Sequence, residues 1–224
     1  MENVVGGIET DRMYGYKFLV EKFTHKYLSK ITICNSFQAY KFFTSNGFSA
    51  VNMVVMPSAI QMSEHNPQRT YVEKEDVSLV TVGRFVKAKD YFTWIDAVVL
   101  AKKSFSKLKA TIIGYGELED EIRSYIKNKG MENSIKIIDG SNINVRDALQ
   151  QHDIYLCTSI REGTSNTVLE AVESGLPVVA TDVGDNARII GHGISGYVCK
   201  VKDVAALAEC IVDLGEKKNL RIDF

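Results

Sequence analysis

The sequence predicts an α/β protein built on a doubly wound parallel sheet of Rossmann-like type. From about residue 77, short apolar runs rich in β-branched residues alternate with longer helical stretches. The apolar runs are continuous, which is typical of parallel strands buried on both faces. A chain of 224 residues, 45% hydrophobic and 25% charged, is long enough for one large domain of this class and part of another.

The elements of this region follow one another in regular order. Strands are predicted over residues 77–83, 110–114, 135–139, 154–159, 177–181 and 196–200. Helices are predicted near residues 91–106, 117–129, 144–151, 167–175, 185–190 and 203–214. In such sheets ligands bind outside the carboxyl ends of the strands, so the loops that follow the strands are where a site is expected.

The N-terminal residues predict a smaller unit. A helix over 17–30, a strand over 31–36, a helix near 37–45 and a strand over 51–57 follow one another. The next stretch holds two of the three prolines and few apolar residues, which indicates a linker. The predicted domains are a remnant of a second domain (1–56), a linker (57–76) and the main domain (77–224).

Composition argues against several classes of protein. A formal net charge of -1 lacks the basic excess of a nucleic-acid binder. The start, MENVVGGIETDR, has no basic segment followed by an apolar one, and no apolar run approaches the roughly 18 residues of a spanning helix. Cys34, Cys157, Cys199 and Cys210 lie far apart in or beside apolar runs, which favours reduced, mostly buried thiols over disulfides or zinc. A cytoplasmic location is expected.

Two loops invite a nucleotide interpretation. In IIGYGELED, a dinucleotide fingerprint would need a third glycine where Glu119 stands, and the acids of residues 117–121 suit a helix dipole better than a pyrophosphate. In REGTSNTVLE, Thr167 and Glu170 fit a capping box, which leaves Glu162 unexplained. A phosphate at this small-residue helix start explains more, with Glu170 accepting from ribose hydroxyls and Glu162 from sugar hydroxyls.

The interaction energies involved require cations near such a phosphate. A helix dipole contributes about 0.3–1 kcal/mol, whereas a hydrogen bond to a charged group contributes about 1.5–3 kcal/mol. Arg84 and Lys89, in VGRFVKAKD, follow another strand at the same sheet edge. Taken alone, that loop is equally well explained as a solvated basic loop; taken with Glu162 and Glu170, it predicts a nucleotide-diphosphate pocket.

These segments resemble a known family. From about Val77 to about Leu214 the chain is similar to the C-terminal, donor-binding half of a GT-B-fold glycosyltransferase of family 4 type, with most of the N-terminal domain missing. VGRFVKAKD resembles the GR-x4-K loop of that family, IIGYGELEDEI its G-x-G turn and EGTSNTVLE its E-x7-E motif. Asp185 and Arg188 depart from the pattern, which often has Gly and Glu there.

The resemblance implies a role for each site residue. Glu162, Arg84 and Lys89 are the implied catalytic residues, the first on the donor sugar and the two cations on the diphosphate. The implied substrate-binding residues are Gly83, Gly114, Thr164, Ser165, Asn166, Thr167 and, on the ribose, Glu170. Basic residues rather than a metal stabilise the leaving diphosphate in this family, and the sequence has no Asp-x-Asp pair, so neither a metal nor a cofactor is expected.

The implied function is retaining transfer of a sugar from a nucleotide-diphosphate sugar to a glycan or lipid-linked acceptor, in surface polysaccharide biosynthesis. A non-catalytic nucleotide-sugar-binding module and a sugar-nucleotide epimerase are the alternatives. The expected partners are donor, acceptor and either a separate N-terminal half or a second copy. Lys22, Lys26 and Lys30, beside Phe23 and Tyr27, indicate either contact with an anionic membrane or a solvated helix face.

Overall fold

The computed structural model describes residues 2–5, 16–60 and 76–224. The described residues form two compact units. The larger takes in 76–160, 167–182 and 186–224, and the smaller takes in 2–5, 16–59, 161–166 and 183–185. Two short segments of the region predicted as the main domain therefore group with the N-terminal residues. Most of the predicted linker lies outside the described residues.

The smaller unit is a three-stranded parallel sheet with two helices. Its elements are β1 (Glu2–Val5), α1 (Tyr16–Tyr27), β2 (Ile31–Cys34), α2 (Phe37–Ser45) and β3 (Met53–Val55), and the strand order is β1-β2-β3. Strand β1 was not predicted, whereas the other four elements were, within a few residues. Phe43 and Phe48 pack at the centre of its core, with ring centroids 4.8 Å apart.

The outer face of helix α1 is apolar and exposed. Its inner face buries His25, whose ring nitrogens lie 2.7 Å from Thr32 Oγ1 and 3.1 Å from Ser49 O. Lys22 Nζ donates to Asn46 O at 2.8 Å, and Lys26 Nζ lies 5.0 Å from the ring centroid of Tyr27. The exposed large apolar side chains of this helix are Tyr16, Leu19, Val20, Phe23 and Tyr27, and the charged residues Lys17, Glu21 and Lys26 are exposed beside them. Contact of this face with a membrane stays a prediction.

The larger unit is built on a six-stranded parallel sheet. Its strands are β4 (Val77–Val82), β5 (Leu108–Gly114), β6 (Ile135–Asp139), β7 (Ile154–Cys157), β8 (Val178–Thr181) and β9 (Gly196–Cys199). They are ordered β6-β5-β4-β7-β8-β9, and every neighbouring pair is parallel. All six strands were predicted, with ends that shift by up to two residues.

Helices cover both faces of this sheet. They are α3 (Tyr91–Ser104), α4 (Glu119–Asn128), α5 (Val145–Gln150), α6 (Asn166–Glu173), α7 (Asn186–Ile190), α8 (Val204–Glu216) and α9 (Lys218–Asp223). Helices α3, α4 and α8 share one core with Val77 and Leu79 of β4, while α5, α6 and α7 share a second core with Val80 and Val82. Successive residues of one strand thus face opposite cores, which confirms the doubly wound sheet.

Two sequence expectations concern thiols and membranes. Cys34, Cys157 and Cys199 are buried and Cys210 is half-buried, so the prediction of mostly buried thiols is confirmed. The last two are not far apart in space, because their Sγ atoms lie 3.7 Å from each other. Within the described ranges, none of the helices has the length and apolar character needed to cross a membrane.

Candidate functional site

The strand order of the larger unit places its topological switch point between β4 and β7. The chain runs outward from β4 through β5 and β6, then returns to β7 on the other side of β4. Doubly wound sheets bind ligands at such a reversal, outside the carboxyl ends of the strands. Gly83 and Arg84 follow β4 there, and Thr158 follows β7. The predicted cationic loop therefore begins at the position where a site is expected.

Three glycines bring the backbones at the ends of β4, β5 and β6 into close contact. A Cβ atom on Gly114 would lie 1.9 Å from Gly83 O, and one on Gly140 would lie 2.9 Å from Gly114 Cα. The backbones are in hydrogen-bond contact, since Gly83 N donates to Ile113 O at 3.0 Å and Gly140 N donates to Gly114 O at 3.1 Å. Gly83 and Gly114 were predicted to bind substrate; the structure brings them together.

The G-x-G turn has a structural explanation. Gly116 has a φ of +148°, and a Cβ atom there would lie 2.8 Å from Phe85 O and 2.9 Å from Phe85 N. Phe85 N donates to Tyr115 O at 2.8 Å, and Leu118 N donates to Phe85 O at 3.2 Å. The absence of a side chain at Gly116 thus allows the backbone at Phe85 to approach closely, which explains this glycine without a bound dinucleotide. Helix α4 opens with Glu119, Asp120 and Glu121, as its dipole favours.

The cationic loop runs from Gly83 to Asp90. Lys89 ends a short 3₁₀ turn, and Asp90, at φ 47°, accepts a hydrogen bond from Thr93 N and so caps helix α3. The half-buried Lys89 side chain lies beside Gly83, because a Cβ atom on that glycine would be 3.4 Å from Lys89 Cε. The Arg84 side chain is exposed. One cation therefore lies beside Gly83, and the other is exposed at the beginning of the loop.

Buried Thr158 ties this loop to the segment after β7. The single proton of its hydroxyl group is shared between two acceptors, Lys89 O at 3.1 Å and Asp90 O at 3.0 Å. Ile160 N donates to Ala88 O at 2.8 Å. The two strand ends of the switch point are thus joined directly. Sequence reasoning missed Thr158; the available signal was a threonine near the end of the predicted strand 154–159, directly after its apolar run.

Thr167 has a different role from the predicted helix cap. Helix α6 begins at Asn166, so the capping-box interpretation is wrong: Thr167 is the second helical residue, and the position three residues after the cap belongs to Val168. Thr167 Oγ1 accepts from the buried Tyr155 hydroxyl at 2.8 Å, and that hydroxyl also lies 3.4 Å from Val82 O. Tyr155 therefore links the start of α6 to the end of β4.

Glu170 lies half-buried on α6 and is not needed as a cap. Burial raises the pKa of its carboxyl group, Arg146 opposes this shift and Glu173 adds to it. Arg146 Nε lies 3.3 Å from Glu173 Oε2, so this cation already pairs with the second acid. Burial is thus the main cause of the raised pKa of Glu170, and the cation that partly offsets it also pairs with Glu173.

This raised pKa predicts how Glu170 affects stability. Because the folded state holds the proton more tightly than the unfolded state, the Glu170 contribution to the free energy of unfolding falls as pH rises from the unfolded pKa through the raised folded pKa. We expect Glu170→Gln to flatten this part of the profile, measured by urea unfolding from about pH 4 to about pH 8. Glu121→Gln, at an exposed acid of α4, is the control. Parallel profiles for Glu170→Gln and the wild type would contradict the expectation.

The predicted site residues are shared between the two units. Gly83, Arg84, Lys89, Gly114, Thr167 and Glu170 belong to the larger unit. Glu162, Thr164, Ser165 and Asn166 belong to the smaller unit. In that unit Glu162 is half-buried, Ser165 is buried and Asn166 is exposed, while Thr164 Oγ1 donates to Asn35 O at 2.7 Å.

The fold and the loops at its switch point define a doubly wound α/β domain of the ligand-binding class. Residues 62–224 match the model of the family described as Glycosyl transferases group 1, and the chain therefore belongs to that family. The amylovoran biosynthesis glycosyltransferase AmsK of Erwinia amylovora is 25% identical over 177 residues, which are 76% of this chain and 44% of AmsK.

Solved structures share the fold at low sequence identity. A variant of S. aureus TarM, crystallised with fondaparinux, alpha-GlcNAc-glycerol and UDP, matches with a TM-score of 0.82 and 20% identity over 99% of this chain and 45% of TarM. The pneumococcal O-GlcNAc transferase GtfA, solved with UDP and GlcNAc, matches with a TM-score of 0.78 and 22% identity over 99% of this chain and 46% of GtfA. The likeness confirms the Rossmann-like half of a GT-B fold. This chain spans less than half the length of AmsK, TarM and GtfA.

Proposed function

We propose that this chain binds the nucleotide-diphosphate sugar of a retaining glycosyltransferase and takes part in transferring the sugar to a glycan or lipid-linked acceptor. The observation that carries the proposal is the union of the Arg84–Lys89 loop with the segment after β7, through Thr158 and Ile160. This union holds the loop that carries both cations at the switch point, where the backbones of three glycines pack closely together. Family membership and the role of AmsK in amylovoran biosynthesis support surface polysaccharide as the product.

The proposed chemistry assigns charge neutralisation to the two cations. When the bond between the anomeric carbon and the diphosphate breaks, negative charge grows on the departing phosphate and positive charge grows on the sugar ring. Arg84 and Lys89 would stabilise the phosphate; each well-placed donor at a developing anion contributes about 2.7–4 kcal/mol to lowering the barrier. Thr167 would add a hydroxyl at the phosphate, since Tyr155 anchors its Oγ1 near the end of β4.

The carboxylates would bind the two ends of the donor. Glu170, half-buried near the start of α6, would accept hydrogen bonds from the ribose hydroxyls. Glu162 would accept hydrogen bonds from the sugar, with Thr164, Ser165 and Asn166 lining the same loop. TarM and GtfA were both solved with UDP, which supports a nucleoside diphosphate as the common ligand. The complex of GtfA with GtfB supports a separate subunit as a partner of this chain.

Calorimetric titration of the chain with UDP, GDP, ADP and NAD tests this proposal. We expect one of the three diphosphates to bind, and Arg84→Ala to weaken that binding about tenfold or more, which corresponds to about 1.4 kcal/mol. Arg123→Ala is the matched control, because Arg123 is a cation of the same unit that pairs with Glu119 on α4. Absence of binding by the folded wild type, or unchanged affinity of folded Arg84→Ala, would overturn the proposal.

The non-catalytic alternative predicts the same binding without transfer. Incubating the chain with donor and a glycan acceptor, alone and with a separately supplied N-terminal half, distinguishes the two. Release of the nucleoside diphosphate coupled to growth of the acceptor excludes the binding-module alternative.

A further inference from the structure

Asp185 is a buried acid in the smaller unit that the proposed chemistry does not use. Only 4% of its surface is exposed. Its carboxylate accepts from Phe37 N at 3.0 Å and from Gln38 N at 3.2 Å, the first two amides of helix α2. Orphan amides and the positive end of the dipole favour an anion there, which offsets the cost of burying the charge.

The same residue holds the loop that carries Glu162. Asp185 N donates to Gly163 O at 3.0 Å. Asp185 Oδ2 lies 3.2 Å from Thr164 Oγ1, whose proton also reaches Asn35 O at 2.7 Å. The preceding Gly184, at φ +58°, is pressed so closely on this loop that a Cβ atom would lie 2.1 Å from Gly163 O. Asp185 thus contacts both residues that follow Glu162.

We propose that Asp185 is a positioning residue that fixes the Glu162–Asn166 loop against the start of helix α2, and so sets how tightly the donor sugar is bound. This inference rests on the proposed function, in which that loop contacts the sugar. The diphosphate and ribose contacts belong to Arg84, Lys89 and Glu170 of the larger unit. A disturbance at Asp185 therefore weakens the binding of the sugar and spares that of the nucleoside diphosphate.

The quantity that tests this is the gain in affinity from the sugar. It is the ratio of the dissociation constant of UDP to that of UDP-glucose or UDP-N-acetylglucosamine, or of the GDP or ADP counterparts if that base binds. Asp185→Asn removes the charge and one acceptor, and we expect this ratio to fall about fivefold or more, equivalent to about 1 kcal/mol. The affinity for the diphosphate alone should change by less than about twofold.

Ser36→Ala is the matched control. Ser36 Oγ accepts from Ala39 N at 3.1 Å and so caps the same helix. The substitution lowers the melting temperature through the lost cap and removes none of the hydrogen bonds of Asp185. An equal fall in the ratio for Ser36→Ala would show that Asp185 acts only through helix stability and would overturn the inference.

Asp185→Glu covers the case in which Asp185→Asn does not fold. It keeps the charge and both acceptor oxygens for α2, while the extra methylene displaces the turn that holds Gly163 and Thr164. We expect the same fall in the ratio of the dissociation constant of the nucleoside diphosphate to that of the nucleotide sugar. An unchanged ratio in either folded variant overturns the positioning role of Asp185 but not the proposed function. A folded wild type that binds no nucleoside diphosphate overturns the proposed function itself.

Discussion

Under the proposed function, we expect Lys89→Met to lower the rate of sugar transfer by about 10²–10³-fold and to leave the fold intact. The lysine stem lies beside Gly83, with Cε 3.4 Å from the position of a Cβ atom on that glycine. Methionine has a similar length, so it retains the packing of the stem and loses only the charge. The loop is held by the main chain of residues 88–90, which accepts from Thr158 Oγ1 and Ile160 N in the variant as in the wild type.

The control for this change is Lys87→Met, two residues earlier on the same turn. Lys87 is exposed, so its replacement changes the net charge equally without removing the cation beside Gly83. The measurement is release of the nucleoside diphosphate from the donor in the presence of an acceptor, at saturating donor. Loss of rate in both variants would indicate general electrostatic attraction, and wild-type rate in Lys89→Met would exclude Lys89 from the chemistry.

The main sheet could be predicted because its strands carry a local signal. Strands β7 and β8 are buried at every residue, so β7 appears in the sequence as the apolar run IYLC and β8 as VVA followed by Thr181. Strand β1 gives no comparable signal, since ENVV is four residues long with two polar positions. The start of α6 was predicted within one residue and its end within two. Because the helix begins one residue earlier than predicted, Thr167 is not its cap, and its hydroxyl oxygen instead accepts a hydrogen bond from Tyr155.

The residues that organise the candidate site escaped prediction because their partners are distant in sequence. Thr158 bonds to Lys89 across 69 residues, and Asp185 bonds to Phe37 across 148. The sequence indicates that Thr158 lies near the end of a strand and that Asp185 departs from the family pattern, but neither fact identifies a partner. Side-chain identity alone predicted the cations and the acids; the contacts that position them follow from the strand order.

Gly114→Ala is expected to destabilise the protein by about 3 kcal/mol or more, and nucleotide binding should fall with the folded fraction. The added Cβ atom itself would lie 1.9 Å from Gly83 O and 2.7 Å from Phe85 Cε1, so the backbones at the ends of β4 and β5 must separate. That movement breaks the bond from Gly83 N to Ile113 O and distorts the cationic loop that follows. The unfolding midpoint in urea measures the loss.

Gly130→Ala separates this collision from the general cost of replacing a glycine. Gly130 has a φ of +65° and no atom within 4 Å of an added Cβ, so its replacement carries only backbone strain, about 1–2 kcal/mol. Gly114 has no such positive φ, and its cost arises from contact with another strand end. If Gly114→Ala were no more destabilising than Gly130→Ala, the ends of β4 and β5 would not be packed against each other as closely as Gly114 and Gly83 O indicate.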